Sequence, residues 1–399
     1  VTQSVHGEFG IGGLPTRGPR MLRAAEAGAA LPPHNGTWRA ASHAAPRVRA
    51  HQLVVLTTMQ WFGGSTWGRT LRRCGPRAPQ PRRGPQVCVR TDELVRRQLE
   101  LIEVLRRNVL HPAVAEVHVL VAEAPPVRAL LSRLPWYSGR HPRRHSNNSA
   151  VRIRRGNASV HLVETGERPS FRSYVSYLNA SLTGRLVVIT NQDVFLEGPH
   201  WSRIRLPPKS VYFLSRYHQR VTYHDDAAHA AAAAGALGLG PINSSAFGGR
   251  GGRGAGHTRT TCDMTTSEYR KWHQSLCNTA NWGAYDAYVI RLERHLGAAE
   301  IDLFNYPQNA WGGENVFLHI WRDGFGYRAT NPCLSLRVVH MHCALPTQFG
   351  VHIVGDKRLG KKLVAEGVKA KLEAMGIRTG MDAGQMGKIT LPVTRLPGG

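Results

Sequence analysis

The chain has 399 residues, 42% of them hydrophobic and 20% charged, which is enough apolar material for one large domain or two ordinary ones and too much for a wholly disordered chain. Lys+Arg 52 against Asp+Glu 26 leaves a formal net charge of +26, which draws a protein to nucleic acid, anionic lipid or anionic sugar when the charge is gathered on one face. Here the basic residues are scattered, Arg47, Arg49, Arg72, Arg73, Arg82, Arg83 and Arg250 falling in Ala/Gly/Pro-rich text, and no apolar run approaches the roughly eighteen residues of a membrane-spanning helix.

Residues 1 to about 50 are rich in Gly, Pro, Ala and Arg without sustained periodicity, as expected of a stem or a disordered segment. The chain begins at Val1 rather than Met, which leaves room for a signal or membrane anchor outside the given sequence. Order is expected from Leu53, where Leu53-Val54-Val55-Leu56-Thr57-Thr58 reads as a buried strand. A Pro- and Arg-rich loop, 72–90, follows. Thr91 then has the character of an N-cap, with Asp92 and Glu93 in the first turn, and Leu94, Val95, Leu99, Ile102, Leu105 and Val109 recur at helical spacing up to His111-Pro112. Val117–Ala122 is a second strand. Strand, helix, strand in that order is a βαβ unit and predicts a parallel sheet with helices on its faces.

The pattern continues with a strand over Val151–Arg154, a helix over Phe171–Leu182, and the strongest buried strand of the chain, Leu186–Thr190, which runs straight into Asn191-Gln192-Asp193. Val211–Leu214 is another strand, ending at Ser215-Arg216-Tyr217. From Ala227 to Thr261 an Ala run passes into Gly-Arg repeats, too long for an ordinary loop, and a disordered low-complexity insertion is expected there. Tyr285–Ile290 predicts a strand, Glu314–Asp323 a helix with Val316, Phe317, Ile320 and Trp321 on one face, and Leu334–His340 a late strand. Beyond residue 350 lies a tail with one Lys-bearing amphipathic stretch, Leu359–Met375.

Cys74 and Cys88, Cys262 and Cys277, and Cys333 and Cys343 form an even set in which no pair makes a C-x-x-C, and this disfavours zinc bound by these cysteines. Six cysteines allow 15 connectivities, of which nearest-neighbour pairing is the simplest. N-glycosylation triplets at Asn35, Asn147, Asn157, Asn179 and Asn243, taken with the even cysteines, favour the secretory pathway.

In an open parallel sheet ligands bind beyond the carboxyl ends of the strands, so polar residues that abruptly follow an apolar strand are the first candidates. Asp193 is one, and a carboxylate so placed suits a divalent cation clamped to a diphosphate; the alternative is a turn Asp. Gly312-Gly313-Glu314 opens a predicted helix, where Glu314 can take a proton from a hydroxyl or simply complement the helix dipole. His340 and His342 fall on one side of the late strand, as metal ligands or as ordinary half-buried histidines. His224, Asp225, Asp226 and His229 cluster beside the Ala run, where a solvated loop explains them.

Taken in order, Asn191-Gln192-Asp193-Val194-Phe195-Leu196, Leu214-Ser215-Arg216-Tyr217, Tyr285-Asp286-Ala287-Tyr288-Val289-Ile290, Gly313-Glu314-Asn315, and Gly326-Tyr327-Arg328-Ala329-Thr330-Asn331-Pro332-Cys333-Leu334-Ser335-Leu336 with His340 and His342 resemble a family of GT-A-type glycosyltransferases. That family has an N-S-D-I-like strand end, an L-S-R-W-like strand end, a Q-D-A-W-I-F-like strand, a G-C-D-N-R-like helix start and a closing N-P…H-x-H. The resemblance runs from about Leu53 to Cys343 and implies a GT-A-like, Rossmann-like α/β fold: a mostly parallel sheet flanked by helices, in one catalytic domain over 51–350.

By position it implies that Thr57, Asn191, Asp193 and Arg216 bind a nucleotide-sugar donor, that Asp193 and His342 hold Mn²⁺ or Mg²⁺, and that Glu314 and Asp286 are catalytic, Glu314 as base and Asp286 on the acceptor side. Asn191 stands in the slot of a second acid, and Glu314 replaces the family's Asp. The implied reaction is transfer of a sugar to a glycan or glycoprotein hydroxyl in the Golgi or endoplasmic reticulum lumen, with no specific nucleic-acid partner. Two other readings stay open: a non-catalytic basic protein that binds polyanions, and a degenerate member that binds nucleotide-sugar without turning it over.

Overall fold

In the computed structural model the described residues are 53–59, 73–74, 89–134, 136–137, 150–152, 158–217, 222–224, 259–261, 277, 285–308, 312–341, 357–378 and 390–396. Contacts divide the chain into 1–45 and 46–399, and every described residue belongs to the second unit. The expected stem and most of the expected insertion therefore lie outside the described residues.

The first buried strand is β1 (Leu53–Thr58), followed by the short pair β2 (Arg73–Cys74) and β3 (Val89–Arg90), then helix α1 (Thr91–Leu110) and β4 (Val114–Val121). Helix α2 (Ala124–Leu131) carries its prolines in the first turn, where a missing N–H costs nothing, so the Pro-Pro pair starts a helix. Next come β5 (Ala150–Arg152), β6 (Ser159–Glu164), α3 (Phe171–Ser181), β7 (Val187–Thr190), β8 (Val194–Glu197) and β9 (Ser210–Leu214). Helix α3 opens on a capping box in which Ser170 and Ser173 satisfy each other's backbone N–H. The last part holds β10 (Thr222–His224), β11 (Arg259–Thr261), β12 (Ala287–Ile290), α4 (Ala298–Asp302), α5 (Gly313–His319), β13 (Arg328–Thr330), β14 (Arg337–His340) and α6 (Lys357–Ala374).

Eight strands form one sheet in the order β13-β9-β12-β7-β1-β4-β6-β5. The pairs β7–β1, β1–β4, β4–β6 and β13–β9 are parallel, as the βαβ order requires. Strand β12 is antiparallel to both its neighbours, β7 and β9, and β5 is antiparallel on the edge. The sheet is thus mostly parallel with helices on its faces, the α/β class expected.

Alternation along the strands divides the apolar residues between two cores. Leu53, Val55, Val188, Tyr212 and Val289 face α1 and α2, meeting Leu99, Ile102, Leu105, Val127 and Leu130. Val54, Leu56, Ile189, Phe213 and Tyr288 face the other way, onto Tyr174, Leu178, Phe317 and Leu372 of α3, α5 and α6. Each such side chain contributes about 1.5–3 kcal/mol by leaving water, and a strand buried on both faces needs the unbroken apolar run that β1 and β7 have. The amphipathic tail stretch lies in α6, so that part of the tail belongs to the second core.

Two expectations are corrected. Cys277 is bonded to Cys333 across a separation of 56 residues, which overturns nearest-neighbour pairing for both; proximity in the fold, not in the chain, selects the partner. The expected disordered insertion is also too long at its far end, because β11 pairs antiparallel with β10 through Thr261↔Thr222, Thr260↔Tyr223 and Arg259↔His224. Residues 225–258, with Asp225, Asp226 and His229, lie outside the described residues. No described helix is long and apolar enough to cross a membrane.

Candidate functional site at the carboxyl edge of the sheet

Strands β1, β7 and β9 run in the same direction, so their last residues share one edge. Because β12 is reversed, its entry, Tyr285-Asp286, comes to that same edge: Asn191 N–H donates to the Asp286 carbonyl at 3.1 Å and Asp286 N–H to the Leu214 carbonyl at 3.1 Å. The reversal therefore brings an acid from a distant segment between the ends of β7 and β9. Asn191 Nδ2 donates to Asp286 Oδ1 at 2.9 Å, and Arg216 Nη1 lies 3.0 and 3.1 Å from the two carboxylate oxygens.

A second carboxylate stands beside the first group. Asp193 follows β7 and precedes β8, and β8 pairs with β14 so that Val194 opposes His340. Asp193 Oδ2 accepts from Arg97 Nη2 at 2.5 Å and lies 3.2 Å from His340 Nε2. Arg97 also donates to Glu100 Oε2 at 2.7 Å, and all of these side chains are buried. Burial opposes the charge on Arg97, but Asp193 and Glu100 outweigh it and hold the guanidinium's pKa above its ordinary value.

Glu314 enters from the first turn of α5. Gly312 caps this helix in the left-handed region, with φ 79, a conformation open to glycine. Gly313 has a different reason for lacking a side chain: a Cβ there would stand 3.3 Å from a Phe171 ring carbon and 3.5 Å from one of Tyr306. The pair of glycines thus serves the helix entry and its packing. Burial pushes the Tyr306 and Tyr288 phenols well up, and the Glu314 charge adds to both shifts. Arg216 feels all three acids: burial works against its charge, and Asp286, Asp193 and Glu314 together keep its pKa raised. Three carboxylates from three separate segments consequently act on one guanidinium.

Of the residues expected at the site, Asn191, Asp193, Arg216, Asp286 and Glu314 are brought to this edge. Thr57 is also there, buried, with its hydroxyl turned to the carbonyls of Thr190 and Asn191 at 3.3 and 3.4 Å, where it ties β1 to β7. His342 lies outside the described residues. Sequence reasoning passed over Arg97 and Tyr174, whose hydroxyl donates to the Thr190 carbonyl at 2.9 Å and lies 3.4 Å from Thr58 Oγ1. A signal for Arg97 existed: with Gln98 it falls three and four residues after Leu94, on the apolar stripe of a helix where charged side chains are rare unless paired.

The expected Mn²⁺ or Mg²⁺ needs several oxygen ligands converging on one point. Asp193 is held by Arg97 and His340, and Asp286 by Arg216 and Asn191. Among the described residues these carboxylates make no group of three ligand atoms close enough to share an ion, so they do not present a preformed cradle for it. What the edge does offer is fixed charge: the partly exposed Arg216 guanidinium paired with Asp286, and the Glu314 acid, whose charge acts on the buried Tyr288 and Tyr306. No family model and no curated protein matches the chain.

Proposed function

We propose that this chain is a glycosyltransferase of the GT-A type, moving a sugar from a nucleoside diphosphate donor to an acceptor hydroxyl. The observation that carries it is the convergence of Asn191, Asp193, Arg216, Asp286 and Glu314, from four separate stretches of chain, on the edge of a mostly parallel sheet where α/β folds bind ligands. In this scheme Arg216 faces the diphosphate and stabilises its charge as the glycosidic bond breaks. Glu314 takes the proton of the acceptor hydroxyl as that oxygen forms its bond to the sugar. Asp286, locked by Asn191 and Arg216, holds Arg216 in place. The Cys277–Cys333 disulfide supports an oxidising compartment, as the secretory lumen is.

One feature favours binding without turnover: Asp193 is engaged by Arg97 and His340 rather than held open. A thermal-shift titration with UDP-, GDP- and CMP-sugars, with and without Mn²⁺, run beside an assay for released nucleotide, separates the cases. The expected result is a shift with one nucleoside diphosphate sugar, nucleotide release in the wild type, and Glu314→Gln that keeps the shift and loses release. A shift without release in the wild type assigns the binding-only function. Absence of any shift, beside salt-sensitive retention on heparin, removes the transferase assignment and leaves a polyanion binder.

A further inference from the structure

On the face of the sheet covered by α3, away from the strand ends, β4 and β6 place three potential metal ligands together. His118 and His161 are directly paired in the parallel register, and Glu116 lies two residues before His118, hence on the same face. The two imidazoles are stacked, with centroids 4.3 Å apart and planes 5° from parallel. His118 Nε2 is 3.0 Å and His161 Nε2 4.0 Å from the same oxygen, Glu116 Oε2, and all three ligand atoms lie within 4.8 Å of one another. Ligands at about 2.0–2.2 Å from a tetrahedral Zn²⁺ are about 3.3 Å apart, and because each nitrogen lone pair lies in its ring plane, the partly exposed His161 must tilt out of the stack for both rings to share the ion.

We propose that Glu116, His118 and His161 form a binding site for a transition-metal dication of the Zn²⁺ class, joining β4 to β6 beneath α3. Two nitrogens and one oxygen suit zinc and not Mg²⁺ or Ca²⁺, which take oxygen. The surroundings are those of a ligand-orienting shell: Tyr177 OH sits 2.8 Å from His118 Nδ1, an arrangement that leaves Nε2 turned to Glu116. Burial lowers the pKa of both imidazoles, that of His161 to about 4. His161 and Glu116 keep 28% and 19% of their side chains exposed, which provides a route in from solvent.

Two neighbours compete with the ion. Ser159 Oγ lies 2.9 Å from His161 Nε2, and Arg185 Nη1 donates to Glu116 Oε2 at 2.7 Å. Arg185 is poorly served in return, because its Nε and Nη2 are buried with no hydrogen-bond partner among the described residues. The guanidinium thus weakens the site electrostatically, and removing its charge should tighten metal binding.

The test is titration of the chelator-treated full chain with Co²⁺, followed by displacement with Zn²⁺. Expected are one equivalent bound with the visible bands of low-coordinate cobalt, at least a tenfold loss of affinity in His161→Gln, and at least a tenfold gain in Arg185→Met. His118 is too buried for its variants to be informative if they fail to fold; His161 is half-exposed, and Ser159→Ala gives a second, mild variant expected to bind as well as wild type or better. Bands that persist in His161→Gln, or no saturable cobalt binding at all, overturn the proposal. None of these residues touches the carboxyl-edge site, so the result is independent of whether a nucleotide-sugar binds there.

Discussion

Replacing Arg97 by methionine tests whether the carboxyl edge is held by buried charge. The guanidinium bridges Glu100 at 2.7 Å and Asp193 at 2.5 Å, with side-chain exposures of 7%, 0% and 11% for Arg97, Glu100 and Asp193. Methionine keeps most of the volume and leaves two carboxylates without that partner in a site closed to water. Breaking a buried pair from one side costs about 3–5 kcal/mol, because the remaining charge is desolvated and uncompensated. That is a large share of the roughly 5–15 kcal/mol by which domains are stable. The triple change Arg97→Met, Glu100→Gln, Asp193→Asn removes the charges together and should recover most of the loss, since a neutral cluster has far less to gain from water. Urea unfolding followed by tryptophan fluorescence, with Trp201 and Trp321 fully buried as reporters, measures both. A single variant that costs less than about 1 kcal/mol, or a triple variant as unstable as the single, would refute the reasoning.

Further outcomes follow from other parts of the fold. Burial works against the Asp323 charge, but hydrogen bonds from His319 and Arg322 outweigh it and hold its pKa down at about 2. A lowered carboxylate contributes stability above its unfolded value and loses it as pH falls through the folded one, so Asp323→Asn should cost about 2 kcal/mol at pH 7. The difference from wild type should shrink between about pH 4 and pH 2; thermal melts across that range that stay parallel would contradict it. Gly312→Ala places an L-residue at φ 79 and should cost about 1–2 kcal/mol by denaturant titration. Gly313→Ala asks Phe171 to move a few tenths of an ångström and should perturb the Phe171–Tyr306–Phe317 ring cluster, visible in near-ultraviolet circular dichroism. Breaking Cys277–Cys333 as a double Ser variant frees a loop of 56 residues, worth about 4 kcal/mol in chain entropy, and an unchanged melting temperature would count against that bond in solution.

The Asn179 triplet shows how a sequence motif acquires a different use in the fold. Its amide donates to the Leu296 carbonyl at 3.2 Å and accepts from the Leu296 N–H at 2.6 Å, so the side chain stitches the end of α3 to the loop before α4 and is poorly placed to carry a glycan. The asparagines of the other triplets lie outside the described residues.

Strands β1, β4, β7 and β9, the helices α1 and α3, and the acidic residues Asp193 and Glu314 were legible from the chain, because alternation, helical spacing and abrupt polar strand ends are local properties of sequence. The reversed β12 was legible as a strand and not as antiparallel, since direction is decided by the path that brings it back beside β7. Arg97 and Asp193 are 96 residues apart, His118 and His161 meet only through the β4–β6 register, and Cys277 chooses Cys333 over Cys262. Local pattern determines which segments become strands and helices, because burial and backbone geometry act over a few residues. Which charges face each other across the sheet edge is set by strand order and register, and those are properties of the packed whole.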